Sequence, residues 1–310
     1  MAVVMDGKPL SAKIKESVKR DVDKLKSEGV DVGLAIMLVG DNAASKQYYS
    51  AILKAGKKVG ITTYEYAFGE DAYINEILNS VNQINGDERI NGLLILFPLP
   101  RKINARRVVN AITPEKDIDG LGAMSVGRLA ADESLFQIFD RQAGVDECGL
   151  LTTASFLPCT PFGVIRLLEH HNIKLHGKHA VVIGKSLAVG KPLSLMLLAK
   201  EATVTVCHKA TDDLALYTRQ ADIICSATGV RGLVRGDMIK EGAVVVDIGI
   251  NVSEDGSITG DVDYTSVSEK AGYITPVPGG VGPVTIAMLL ENTARSAYSR
   301  TILRSPFQIE

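Results

Sequence analysis

Apolar runs alternate with helical patterns along most of this 310-residue chain, and that alternation restricts the fold more than any other feature. Val32–Val39 and Gly92–Phe97 are continuously apolar, and a helical stretch from about Ala44 to Val59 lies between them. Strands that are apolar on both faces and joined by helices form parallel sheets covered by helices. The first part of the chain is therefore predicted to be α/β with a parallel sheet.

A second series of the same kind begins near His179. A glycine-bearing loop over 184–192 and a helix from Leu193 follow its first strand, and the predicted strands are Ala180–Ile183, Thr203–Cys207, Asp222–Ser226 and Ala243–Ile248. Strands spaced about twenty residues apart indicate a doubly wound nucleotide-binding unit. The chain is thus predicted to contain two α/β domains.

Charge and cysteine content narrow the function classes. The net charge of -2 gives no reason to expect nucleic acid or an anionic membrane as partner, and no apolar run reaches the ~18–20 residues of a spanning helix. The start of the chain lacks the order of a secretory signal. None of the four cysteines, Cys148, Cys159, Cys207 and Cys225, has metal-ligand spacing, so no metal site is predicted. Buried free thiols at Cys207 and Cys225 and a cytoplasmic location are expected.

The loop after the first strand of the second series has the chemistry of a phosphate site. Gly184, Ser186 and Gly190 lie between a strand and a helix, where backbone N–H groups and the helix N-terminus can face a pyrophosphate. The spacing differs from GxGxxG, so a plain strand-to-helix turn is the alternative.

The tip of the next strand bears on the choice of dinucleotide. About 23 residues after Gly184, where NAD enzymes carry an acid for the ribose, the chain reads Cys207-His208-Lys209. Lys185 and Lys209 could both meet a 2′-phosphate, which favours NADP. Asp212 and Asp213 follow closely, so NAD is one alternative. The other alternative is that the two lysines are ordinary solvated surface residues.

The stretch Ile274–Thr285 (ITPVPGGVGPVT) contains three prolines and three glycines. Such a loop is stiff, and its backbone can approach a planar ligand closely. A loop that merely crosses between domains is the alternative.

Ordered motifs along nearly the whole chain resemble the methylenetetrahydrofolate dehydrogenase/cyclohydrolase family. TPVPGGVGPVTIAMLLENT is similar to the family signature. The further matching segments are DNAASKQYY, the PLP after Phe97, PEKDIDGL, SVGRL, FLPCTPFG, GKSLAVGKP and VVVDIGIN.

The resemblance implies a folate domain, a Rossmann-type NADP domain, a cleft between them and a homodimer built through the cofactor domains. Tyr48 takes the catalytic position, and Asp119 the position that holds the folate ring, with a turn residue before Gly120 as its alternative. The residues expected to line the substrate site are Pro278, Gly279, Gly280, Val281 and Pro283, and those expected at the cofactor are Gly184, Lys185, Ser186, Gly190, Lys209 and Ile250.

The predicted domain boundaries follow from the same family resemblance. The folate domain is predicted to comprise 1–125 and 284–310, and the Rossmann-type domain 156–283. The segment 126–155 is predicted to be an extended linker or insertion, since Ala130–Ser155 has mixed polarity and exceeds the family's usual connection. The last helix, roughly Val284–Tyr298, is expected to pack back on the first domain.

Two positions depart from the family pattern. The family has a lysine four residues after the tyrosine, where this chain has Ile52, and a glutamine in GxLVQLPLP, where this chain has Leu96. Lys54 is a poor replacement, because at about 100° per residue it points far around the helix from Tyr48. Only a local shift of the chain would bring it back.

The two chemical steps differ in what they need. Hydride transfer needs orientation and a dry site, whereas hydrolysis needs general acid–base help worth about 10²–10⁴-fold. The sequence therefore predicts an NADP-dependent methylenetetrahydrofolate dehydrogenase with weak or absent cyclohydrolase activity. The alternatives are a fully bifunctional enzyme that uses Tyr48 and a rearranged Lys54, and a non-catalytic folate- or nucleotide-binding homologue.

Overall fold

The computed structural model of the protein describes residues 1–131, 156–253 and 256–304. The chain divides into two compact units. The small-sheet unit comprises Lys13–Leu157 and Leu289–Glu310, and the large-sheet unit comprises Met1–Ala12 and Pro158–Met288. Most of the predicted linker, and Cys148 with it, falls outside the described residues. The two-domain α/β class is confirmed.

The elements are numbered in chain order. The strands are β1 (Val3–Val4), β2 (Gly33–Val39), β3 (Thr62–Phe68), β4 (Gly92–Ile95), β5 (His179–Ile183), β6 (Thr203–Cys207), β7 (Ile223–Ser226), β8 (Val244–Asp247), β9 (Asn251–Val252), β10 (Ile258–Thr259) and β11 (Tyr273–Ile274). The helices are α1 (Lys8–Ser27), α2 (Ala43–Val59), α3 (Ile74–Gly86), α4 (Ala105–Val109), α5 (Ala123–Ala131), α6 (Cys159–His170), α7 (Gly190–Ala199), α8 (Leu214–Thr218), α9 (Tyr264–Ser268) and α10 (Val281–Arg304).

The small-sheet unit is built on three parallel strands in the order β3-β2-β4. All seven residues of the central strand β2 are buried, as expected for a strand that is apolar on both faces. The edge strand β3 has no fully buried residue, and its sequence TTYEYAF mixes polar and apolar residues instead of forming a continuous apolar run. The predicted strands at 32–39 and 92–97 and the helix at 44–59 are confirmed with small shifts at their ends.

The large-sheet unit contains six parallel strands in the order β1-β11-β8-β7-β5-β6, and β9 and β10 form a separate antiparallel pair. All four predicted strands are present. The short strands β1 and β11 have two residues each, too few to show a period of two. Helix α7 begins at Gly190 rather than at the predicted Leu193, because Gly190 and Pro192 tolerate the first turn, where N–H groups lack helical partners.

Residues 1–12 differ from the predicted division, which assigned them to the first domain. They lie in the large-sheet unit because Val3 and Val4 pair in parallel with Tyr273 and Ile274. Residues 126–131, predicted as the start of the linker, instead form the end of helix α5.

The last helix is longer than predicted, and the division between the units falls within it, after Met288. In the small-sheet unit the Asn292 amide donates to the Ile118 and Leu157 carbonyls at 2.8 and 3.2 Å, and the Ser296 hydroxyl donates to the Asn91 carbonyl at 2.6 Å. The second half of α10 is therefore part of that unit's interior. Of the residues described, none belongs to a helix long and apolar enough to cross a membrane.

Candidate active site

Helix α2 presents Tyr48 near the end of strand β4. Asn42 caps the helix by accepting the Ser45 backbone N–H at 3.0 Å, and the Ser45 hydroxyl donates to the Phe97 carbonyl at 3.0 Å. Tyr48, one turn later, is half-buried. Because Phe97 directly follows Leu96, this contact brings the Ser45–Tyr48–Ile52 face of α2 to the residues that follow β4.

Ile52 and Leu96 are buried apolar residues, 0% and 2% exposed. Neither carries a group that could hold or move a proton. Lys54 is exposed and lines an open groove together with Lys57, Thr63 and Glu65, on the side of α2 that faces β3. The structure thus places Lys54 away from the face that carries Tyr48.

The loop before Asp119 is held by two buried neighbours that sequence reasoning missed. The Asp117 carboxylate accepts the backbone N–H groups of Leu121 (3.1 Å) and Gly122 (2.9 Å) and the Ser125 hydroxyl (2.6 Å), and burial raises its pKa to about 6. The Lys116 ammonium donates to the carbonyls at the end of α3, and burial lowers its pKa to about 8. Asp119 itself is half-buried. Nothing in the pattern PEKDIDGL shows which aspartate is buried.

The glycine- and proline-rich loop lies in the large-sheet unit, where the start of α1 holds it. The Gly7 N–H donates to the Gly279 carbonyl at 2.9 Å, and the Ser11 hydroxyl donates to the Pro283 carbonyl at 2.7 Å. Gly279 has φ +119, and an added Cβ at Gly280 would lie 2.7 Å from the Pro276 carbonyl. Gly279, Gly280 and Val281 are buried, Pro283 is half-buried and Pro278 is exposed. Gly7 and Ser11 gave no sequence signal, because a lone glycine and serine near a helix start are ordinary cap residues.

The predicted phosphate loop has the tight backbone geometry that a dinucleotide requires. Gly184 follows β5 with φ +117, and an added Cβ there would lie 2.5 Å from the Ala227 carbonyl. An added Cβ at Gly190 would overlap the Gly184 carbonyl. The Ser186 hydroxyl accepts the N–H groups of Val189 (3.1 Å) and Gly190 (3.3 Å), at the start of α7. The loop lies where β6 and β7 flank β5 on opposite sides, the switch point at which parallel sheets bind nucleotides.

The turn after β6 exposes Lys209 and engages one of the competing acids. The His208 N–H donates to the Thr211 hydroxyl at 2.9 Å, which closes the turn. Asp213 caps α8 by accepting the N–H groups of Ala215 and Leu216. Lys185 is exposed as well. These side chains fit a phosphate better than a ribose hydroxyl.

The cysteines among the described residues are all buried. Cys159, Cys207 and Cys225 are buried free thiols, which confirms the expectation for the last two. Burial raises the pKa of Cys225 to about 12, so it stays a thiol at neutral pH. Within the described ranges, no three or more His, Cys, Asp or Glu side chains are grouped to hold a metal ion.

A glycine loop at the switch point of a parallel doubly wound sheet defines an α/β protein of the dinucleotide-binding class. The sequence profile for the NAD(P)-binding domain of tetrahydrofolate dehydrogenase/cyclohydrolase matches residues 158–301, and the profile for its catalytic domain matches residues 5–119. The chain belongs to the tetrahydrofolate dehydrogenase/cyclohydrolase family. This confirms the predicted family and its NAD(P)-binding domain.

Relatives agree over the full length. The bifunctional protein FolD of Campylobacter jejuni is 48% identical over 297 residues, which is 96% of this chain and 99% of that protein. The crystal structure of a Campylobacter jejuni FolD has a TM-score of 0.84 at 47% identity and covers 97% of this chain and 100% of its own. The Trypanosoma brucei methylenetetrahydrofolate dehydrogenase-cyclohydrolase, solved with NADP and an inhibitor, has a TM-score of 0.84 at 32% identity, with coverage of 97% and 98%.

Proposed function

We propose that this chain oxidises 5,10-methylenetetrahydrofolate to 5,10-methenyltetrahydrofolate with NADP, and that its cyclohydrolase activity is weak or absent. One observation carries the second half. Ile52 and Leu96, where the resemblance expects lysine and glutamine, are buried apolar residues. The named relatives are bifunctional, so the proposal separates this chain from them in hydrolysis alone.

The proposal assigns folate-binding roles to the residues that the family resemblance names. Asp119 accepts hydrogen bonds from the amino and amide N–H groups of the ring, because a carboxylate offers two acceptor oxygens. Tyr48 lies at the reacting end of the substrate. The backbone of Gly279, Gly280 and Val281, with Pro278 and Pro283, forms the wall against which the flat ring lies.

The cofactor is held at the carboxyl ends of β5 and β6. Gly184, Ser186 and Gly190 bind the pyrophosphate, Lys185 and Lys209 bind the 2′-phosphate, and Ile250 offers an apolar surface. NADP supplies the ring carbon that accepts the hydride. The protein's own residues orient the two reactants and exclude water. With Asp213 engaged as a helix cap, the geometry favours NADP over NAD.

Ile52 and Leu96 affect hydride transfer and hydrolysis differently. Hydride transfer requires no protein acid or base, so apolar packing at these positions leaves it intact. Hydrolysis requires a group that manages a water molecule and its protons, and Tyr48 is left without the lysine and glutamine that would assist it. The expected loss is about 10²–10⁴-fold, the usual contribution of general acid–base catalysis.

The test measures both reactions on the wild type and on the double variant Ile52→Lys with Leu96→Gln. The wild type is expected to reduce NADP and to accumulate the methenyl product. The double variant is expected to gain enzyme-dependent decay of the methenyl absorbance by about 10²-fold or more. The matched control, Ile52→Met with Leu96→Met, keeps the volume and adds no polar group, and it should gain nothing.

The second candidate is a fully bifunctional enzyme, and the names of the relatives favour it. It predicts that wild-type protein accelerates decay of the methenyl absorbance without any substitution. That result would overturn the proposed loss of hydrolysis while leaving the dehydrogenase assignment in place.

The proposal includes a homodimer that works in the cytoplasm. The expected assembly joins two chains through their cofactor domains, as the family resemblance implies. Light scattering of the purified protein should give about twice the chain mass of 33.1 kDa. A monomer at assay concentrations would contradict the dimer without affecting the proposed chemistry.

A further inference from the structure

Two buried aspartates at the carboxyl end of the large sheet have no role in the function proposed so far. Asp247 is the last residue of β8, and Asp261 follows the β9–β10 pair. They are 4% and 0% exposed. A carboxylate withdrawn from water in this way is costly unless its oxygens accept hydrogen bonds, so their partners indicate what they hold in place.

Asp261 ties two separate segments to one carboxylate. One oxygen accepts the Ser226 hydroxyl (3.0 Å), the Thr228 N–H (2.6 Å) and the Thr228 hydroxyl (2.9 Å), which belong to the end of β7 and the loop after it. The other oxygen accepts the Asn251 side-chain amide at 3.2 Å. Asn251 also donates to the Gly260 carbonyl at 3.0 Å. The residue before Asn251 is Ile250, expected at the cofactor.

Asp247 holds the backbone before Ile250 and the backbone around Asp261. One of its oxygens accepts the N–H groups of Gly249 (3.0 Å) and Asp261 (2.9 Å), and the other accepts that of Val262 (2.9 Å). An added Cβ at Gly249 would overlap the Asp261 carboxylate, and one at Gly260 would overlap that of Asp247. The turn that presents Ile250, which is 53% exposed, is therefore packed directly on these two carboxylates.

The loop after β7 also touches the phosphate loop. The Ala227 N–H donates to the Ile183 carbonyl at 2.9 Å, and its carbonyl faces Gly184. Thr228, held by Asp261, is the next residue. One chain of contacts thus runs from Gly184 through the loop after β7 to Asp261, and from there through Asn251 to Ile250.

We propose that Asp261 is a positioning residue for the dinucleotide site, which holds the Ile250 turn at a fixed distance from the phosphate loop. It acts through Thr228 and Asn251 and needs no contact with the cofactor. The inference rests on the proposed cofactor site. It predicts that loosening the Asn251 tie weakens dinucleotide binding and leaves the folate side unaffected.

The test compares Asn251→Ala with Asp261→Asn. Asn251→Ala removes the tie at a half-buried position and leaves the carboxylate with its Ser226 and Thr228 partners. Asp261→Asn keeps the volume but replaces an acceptor oxygen with an N–H₂ group that must face donors. The matched control is Asp222→Asn, at the amino end of β7, where the carboxylate accepts the His179 N–H at 2.9 Å and the Lys240 ammonium at 2.5 Å.

The measurements are the NADP dissociation constant by direct titration, KM for each substrate and the thermal midpoint. Both variants are expected to raise the dissociation constant and KM for NADP about tenfold and to change KM for the folate less than about twofold. Asp222→Asn should leave both KM values unchanged. Unchanged NADP affinity in Asn251→Ala, or parallel increases in both KM values, would overturn the positioning role. Because titration needs no turnover, wild type that binds NADP without reducing it would refute the proposed reaction alone.

Discussion

Buried side chains lie beside the carboxyl ends of both sheets, but their chemistry is opposite in the two regions. Beside β4 in the small-sheet unit, Ile52 and Leu96 exclude water with apolar side chains. Beside β7 and β8 in the large-sheet unit, Asp247 and Asp261 are buried carboxylates whose oxygens accept backbone and side-chain donors. In the proposed function the first region holds the substrate, and neither Ile52 nor Leu96 carries a group that could move a proton. In the second region the buried polar groups hold the loops that the proposal places at the cofactor.

This difference between apolar and charged buried side chains indicates which groups each region can provide. A buried carboxylate is tolerated only where donors are already in place, so Asp247 and Asp261 hold the loops around them tightly, and the proposal places these loops at the cofactor. Where the family resemblance expects a lysine and a glutamine, this chain has two buried apolar side chains. Positioning without proton transfer is sufficient for a dehydrogenase and insufficient for a hydrolase.

The largest effect is expected from Gly260→Ala in the large-sheet unit. The added Cβ would overlap the Asp247 carboxylate, so the variant must move a buried charged group or the strand pair beside it. The free energy of unfolding, measured by urea denaturation, should fall by about 3 kcal/mol or more, and NADP affinity should fall with it.

The control for this change is Gly127→Ala in helix α5, where an added Cβ meets nothing within 4 Å. That variant should gain about 0.5–1 kcal/mol, because alanine favours a helix over glycine. If both substitutions change the free energy of unfolding equally and only slightly, the hydrogen-bonded carboxylates can move at little cost. The large-sheet region would then not be held tightly by Asp247 and Asp261.

A smaller effect is expected from pH. Among the described residues, Asp117 in the small-sheet unit and Asp247 in the large-sheet unit have a pKa raised to about 6. Burial raises both, and the like charge of Asp261 adds to the rise at Asp247. Their folded-state pKa exceeds the ordinary 3.8, so the folded protein binds these protons more tightly than the unfolded chain. Lowering the pH from 7 to 5 should therefore raise the free energy of unfolding by about 1 kcal/mol from each group.

The measurement is urea denaturation at both pH values for the wild type, Asp117→Asn and Asp247→Asn. Each variant should lose its own share of the increase and keep the other. If both variants keep the full increase in the free energy of unfolding, the increase belongs to other carboxylates. The two regions would then not share a buried aspartate that titrates near pH 6.

Much of this was readable from the sequence, and the exceptions have physical causes. Continuously apolar β2 and the long amphipathic α2 were recognised because periodicity over many residues is a strong signal. The two-residue strands β1 and β11 gave none, so the pairing of Val3 and Val4 with the large sheet was not predicted. Family motifs supplied Tyr48, Asp119 and the glycine loop. Asp117 and Asp261 were missed because a buried, hydrogen-bonded aspartate and a solvated one look alike in a sequence.

The smallest effect is expected at Lys54, the residue that could most directly break the contrast. Its exposed side chain lines the groove on the β3 side of α2, far around the helix from Tyr48. Lys54→Met should therefore change the dehydrogenase rate by less than about twofold and the free energy of unfolding by no more than about 0.5 kcal/mol, as is usual at exposed positions. The assay is decay of the methenyl absorbance, with Lys57→Met, from the same groove, as the matched control. A cyclohydrolase activity that is present in the wild type, lost in Lys54→Met and kept in Lys57→Met would show that Lys54 reaches the reaction, and the apolar end of the small sheet would no longer explain the chemistry.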